Sequence, residues 1–145
     1  MVNNEEFLYD LPILPNGFKF PVDYLGMVLA DDFVDIEPWR FLSKDMATSL
    51  FYYGSMLLRF SDAALVPFAI IQDESGLYND GWVVLACFDG SGKDGSSCVR
   101  IYDYSRPKLS PWDNLAYTGF SEWFSAAKEE SSRYKAERIK GKGYS

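Results

Sequence analysis

The chain has 145 residues, 48% of them hydrophobic and 17% aromatic, with a net charge of −7. That is enough for one domain with a real core, and it argues against wholesale disorder. The acidic balance argues against nucleic-acid binding by the body of the chain, and the lack of histidine removes imidazole bases, Ser-His-Asp triads and histidine metal ligands.

Residues 1–20 read as an arm punctuated by proline and glycine. Pro12 and Pro15 discourage helix, and Asn16-Gly17 is a turn signal. The opening M-V-N-N-E-E-F has no basic leader followed by an apolar stretch, so no signal peptide is expected. No apolar run approaches the ~20 residues of a membrane span. The expected location is the cytoplasm, with no membrane partner.

Residues 21–127 read as a single domain. Pro21 suits the first position of a short helix, and Asp23 suits its dipole. Residues 31–42 read as a connection with an apolar and aromatic insert (Phe33, Ile36, Trp39, Phe41, Leu42). Acids crowd this end of the chain: residues 1–37 hold eight, including Asp31, Asp32, Asp35 and Glu37, against the one base Lys19. Ser43 is the expected N-cap of a second helix, with Asp45 in its first turn. Ala47, Leu50, Phe51, Gly54, Leu57 and Leu58 repeat at helical spacing up to Arg59.

From Leu65 the period changes. L-V-P-F-A-I-I predicts a short strand, and Pro67 predicts that it lies near an edge or begins there. Residues 72–81 are turn-rich, with Asp80-Gly81 the strongest signal. Trp82 to Phe88 predicts a strand buried on nearly both faces. Cys98 to Tyr104 alternates, with Val99 and Ile101 on one face and Arg100 and Tyr102 on the other. A loop over 105–117 carries Trp112 and Tyr117. The last helix starts at Thr118 or Gly119, with Phe120, Trp123, Phe124 and Ala127 as its apolar stripe. Residues 128–145 are charged, +3 in net, and read as a solvated helical extension or tail that frays. Helices before and after a group of strands predict an α+β fold, with a central, mainly antiparallel sheet and helices packed against it.

Few motifs carry chemistry. G-S-G-K-D-G, from Gly90 to Gly95, matches a dinucleotide fingerprint but is followed by a strand, so it lacks the helix N-terminus that would hold a pyrophosphate. A hairpin loop is the plainer reading. Lys93 sits where a calcium site would want an oxygen. The neighbours Asp31 and Asp32, and Asp73 and Glu74, give no evidence of a glycosidase pair and read as exposed turn acids. Cys87 and Cys98 form either a cross-strand bridge or, more simply, two free small hydrophobes in a reducing compartment. No cofactor, metal or catalytic residue is expected. Trp39 and Trp112, beside prolines, and Tyr78 and Tyr104, near strand ends, are core plugs or interface anchors.

Several segments, taken in order, resemble one family. They are F-P-V-D-Y (Phe20 to Tyr24), V-P-F-A with D-E-S-G (Val66 to Gly76), L-A-C-F-D (Leu85 to Asp89), V-R-I-Y-D-Y (Val99 to Tyr104) and G-F-S-E-W-F (Gly119 to Phe124). Their order and spacing resemble the SUKH superfamily, the immunity proteins related to the fungal Smi/Knr cell-wall regulators. The likeness is best over residues 62–127. Phe20 stands where the family has leucine, Tyr78 to Gly81 look inserted, and a proline-rich arm replaces the usual leading helix.

The resemblance implies helices against a central sheet and a non-enzymatic role. It implies a partner as well: a cognate toxin domain, of nuclease or deaminase type, bound and occluded. The acids Asp31, Asp32, Asp35, Glu37, Asp73 and Glu74 are expected to complement a basic partner, and Trp39, Tyr78, Tyr104 and Trp112 to anchor it. A regulatory scaffold of the same fold, or a ligand- or sugar-binding module, is the alternative.

Overall fold

The computed structural model describes residues 18–30, 34–61, 64–90 and 98–142. The expectations for Asp31 and Asp32, for most of the arm and for the glycine loop after Gly90 lie outside the described residues.

The fold is α+β, a five-stranded antiparallel sheet with helices on both faces. Strands β1 (Trp39–Phe41), β2 (Leu65–Ile71), β3 (Val84–Asp89), β4 (Cys98–Asp103) and β5 (Ala116–Tyr117) lie in sequence order across it. Helices α1 (Val22–Val28) and α3 (Phe120–Lys142) cover one face, and α2 (Met46–Arg59) covers the other. β1 and β5 fall in stretches expected to be connection and loop. Each is three residues or fewer, too short to leave a periodic signal.

The face under α1 and α3 is aromatic. Phe68 stacks on Phe88 with ring centres 4.0 Å apart. Trp123 meets Phe68 edge-on at 4.9 Å, and Tyr24 meets it at 5.5 Å. Phe18 and Phe20 add to the cluster from the chain before α1. β2 supplies this face from both parities of its sequence. A bulge between Pro67 and Ala69 leaves Phe68 unpaired and resets the alternation. Val66 and Phe68 before it, and Ala69 and Ile71 after it, therefore share one core. Pro67 belongs to an internal strand, as the strand order shows. Its missing N–H is tolerated because β1 pairs only with Ala69, Ile70 and Ile71.

Gly90 closes the sheet end. Its amide donates to the Ala64 carbonyl at 2.7 Å. A Cβ there would lie 2.9 Å from Phe18 Cδ1 and 3.2 Å from the Ala64 oxygen, so only glycine fits undisturbed.

Four expectations are corrected. Asp45, not Ser43, caps α2: its carboxylate accepts from the Thr48 amide at 3.1 Å, while Ser43 is buried in a short 3-10 turn. β3 begins at Val84, which leaves Trp82 exposed. The α2 repeat of Ala47, Leu50, Phe51, Leu57 and Leu58 faces outward, and the helix packs on the sheet through Ser49, Tyr53 and Met56 instead. Finally, α3 runs unbroken to Lys142, with Ser131 and Tyr134 buried, so the extension is docked rather than solvated. Its buried positions after Ala127 are a serine and a tyrosine rather than aliphatic side chains, and apolar periodicity does not register those.

Cys87 and Cys98 are both free. The register sets Cys87 opposite Arg100 and Cys98 opposite Asp89.

Candidate functional site

The segment from Val34 to Pro38 joins α1 to β1 and carries Asp35 and Glu37 over the C-terminal half of α3. Asp35 accepts from Lys135 Nζ at 2.6 Å and from the Glu37 amide at 3.2 Å. These contacts, the Lys135 bond foremost, hold its carboxyl below the usual range. Glu37 accepts from Arg138 Nη2 at 3.3 Å. Both pairs are open to water, so each is weak and exchangeable.

Asp73 reaches the same place from the turn after β2. One oxygen accepts from the Ser75 amide and hydroxyl, the other from the Tyr78 amide at 2.8 Å. Partial burial pushes its carboxyl up, but the bonds from Ser75 and Tyr78 outweigh that and leave it lowered. The turn is built for this. Asn79 and Asp80 adopt left-handed φ of 55° and 54°, and Gly81 follows at 85°.

Asp35, Glu37 and Asp73 border a cavity of about 350 Å³ whose wall includes Trp39, Phe41 and Tyr134. Arg40 and Lys44 also border it. Glu130 of α3 ties the surroundings together, accepting from Trp39 Nε1 at 2.8 Å and from the Tyr78 hydroxyl. Burial, then the Glu130 bond, raises the Tyr78 phenol well above its ordinary value.

Five expected residues, Asp35, Glu37, Trp39, Asp73 and Tyr78, thus converge on one edge of the sheet, and Glu74 is exposed beside Asp73. Trp39 is buried and packed edge-on against Trp123 at 5.3 Å, which makes it a wall of the site rather than a protruding anchor. Tyr104 and Trp112 lie elsewhere, on the α2 side of the sheet. The Tyr104 hydroxyl bonds Ser55 Oγ at 2.7 Å, and the Arg59 guanidinium lies 5.1 Å from its ring centre. Trp112 packs edge-on to Phe60 at 5.7 Å, with Arg100 over its ring at 5.4 Å. Arg100 also holds the buried Asp89 at 2.6 Å.

The basic residues of α3 and Glu130 were not expected at the site. Their signal was charge at helical spacing, Lys135 and Arg138 following Glu130 and Ser131, in a stretch with too little apolar content to read as docked. Among the described residues, no group of three Cys, Asp or Glu is placed to hold a metal ion, and no helix is long and apolar enough to cross a membrane. No family model, curated protein or solved structure matches the chain.

Proposed function

We propose that this chain is a non-enzymatic immunity protein of the SUKH type, which binds a basic toxin domain at the acidic edge and covers it. The observation that carries the reading is the convergence of Asp35, Glu37 and Asp73 around one cavity, with Glu74 exposed alongside. Lys135 and Arg138 already occupy two of these carboxylates in weak, solvent-open pairs. A partner's lysines or arginines can take their place at little cost. The net charge of −7 attracts such a partner and speeds its arrival. Cytoplasmic residence goes with this reading.

The test is co-expression with a toxin domain encoded beside the gene. Wild type is expected to restore growth and to bind the purified domain. Asp35→Lys, Glu37→Lys and Glu74→Lys combined should slow association about tenfold or more. Rescue and association rates unchanged by the triple reversal would remove the acidic edge from the reading.

The cavity supports a second reading. At about 350 Å³, with Trp39 and Phe41 in its wall, it falls within the size range of small-ligand sites. A thermal-shift screen with sugars and amino acids checks it, since a ligand bound only to the folded chain raises the midpoint.

A further inference from the structure

The outward face of α2 carries Met46, Leu50, Phe51, Leu57 and Leu58, exposed by 57%, 42%, 68%, 44% and 88%. Ala47 and Gly54 complete the stripe. From Met46 to Leu58 the helix holds no charged residue. An apolar stripe open to water on a protein of this net charge marks a contact surface.

The stripe is symmetric about Gly54. Leu50 and Leu58 lie four residues to either side, and Phe51 and Leu57 lie three. If a second helix crosses antiparallel with the two-fold axis over Gly54, Leu50 faces Leu58 of the other copy and Phe51 faces Leu57. Each contact then occurs twice, as an isologous interface requires. A Cβ built at Gly54 meets nothing within 4 Å, so the centre of the stripe is a notch where two backbones can approach closely. Antiparallel packing also opposes the two helix dipoles favourably.

We propose that α2 is the interface of a two-fold homodimer, its outward stripe packed antiparallel on the same stripe of a second copy. The five large side chains leave on the order of 600 Å² in water, as large as the largest patch on a typical monomer. Two such faces together cover on the order of 1,200 Å², the lower end of stable specific interfaces. An interface at this lower end fits a reversible dimer rather than an obligate one. It uses the face of the sheet opposite the helices that frame the acidic edge, so it does not compete with the proposed toxin site.

Sedimentation of the full chain over a concentration series tests this. Wild type is expected to pass from monomer to dimer in the micromolar range. Leu58→Asp and Phe51→Asp should each weaken the dimer about tenfold or more while keeping the far-ultraviolet circular dichroism of wild type. Gly54→Cys keeps the stripe and places two thiols at the axis, so mild oxidation should give a covalent dimer. Glu129→Cys, exposed on α3, should not. A wild-type chain that stays monomeric at about 100 µM, or a Gly54→Cys chain that does not cross-link, overturns the proposal. So does a dimer that forms only after residues 1–17 are deleted, because the arm would then be the occupant of the stripe. Toxin binding is read separately, so either proposal can fail without the other.

Discussion

Glu130 links three parts of the chain that are remote in sequence. Its carboxylate accepts from Trp39 on β1 and from Tyr78 in the turn after β2, while its backbone belongs to α3. The Tyr78 proton is held by this arrangement, with a folded pKa above the unfolded value near 10. The folded chain keeps the proton where an unfolded tyrosine would release it. The stabilisation is therefore full below about pH 10 and is lost as pH rises through and beyond that value. Tyr78→Phe should cost about 1–2 kcal/mol near neutral pH through the lost bond to a carboxylate. Its urea midpoint should also fall less steeply than that of wild type from about pH 10 to pH 12. Parallel curves for the two proteins would mean that Tyr78 does not titrate differently in the folded state. Tyr52, Tyr53, Tyr104 and Tyr117 are also raised by burial and account for the remaining slope.

α2 and α3 invert what their apolar content suggests. α2 is apolar on most of its circumference, and the sheet takes the side bearing Ser49, Tyr53 and Met56. α3 is charged after Ala127, yet this half buries Tyr134 and carries the partners of Trp39, Asp35 and Glu37. Truncation after Ala127 tests whether that half is part of the fold. It exposes Trp39 and Tyr78 and removes a buried tyrosine worth about 1.5–3 kcal/mol by analogy with other large side chains. The two bonds to Glu130 go with it, at about 1 kcal/mol each, as do the two weak pairs of Lys135 and Arg138. The truncated chain should unfold at a clearly lower urea concentration, by about 3 kcal/mol or more in total. An unchanged midpoint would make residues 128–142 a dispensable tail.

At the scale of the molecule, the sheet separates two surfaces of opposite character. The edge framed by α1 and α3 is ionic, and the outward side of α2 is free of charge. Salt should therefore act on them in opposite senses. Between about 50 and 500 mM the screening length falls several-fold. Association with a basic toxin domain should slow over this range, whereas self-association should hold or strengthen, because two copies of charge −7 repel less. Stopped-flow association and sedimentation across one salt series measure both. If the two weakened together, charge would govern both contacts and the division of labour between the faces would be wrong.

Local pattern in the chain was enough for the class of fold, for α1, α2, β2 and β4 near their true bounds, and for the alternation of β4, which sets Val99 and Ile101 on one face and Tyr102 on the other. Those features are local: helix and strand periods, turn residues at Asp80-Gly81, and a proline start to α1 report the backbone conformation of the segment that contains them. It also marked Asp35, Glu37, Trp39, Asp73 and Tyr78 as residues of interest, without any sign that they meet. Tertiary structure alone decided which side of α2 faces the sheet, because that helix offers apolar residues nearly all round and only the competing partners choose between them. It decided that the last helix docks, because the groups that hold it are polar and their partners lie about a hundred residues away. The core's parity change at Phe68 follows the same rule, since a bulge exists only in relation to the strand beside it.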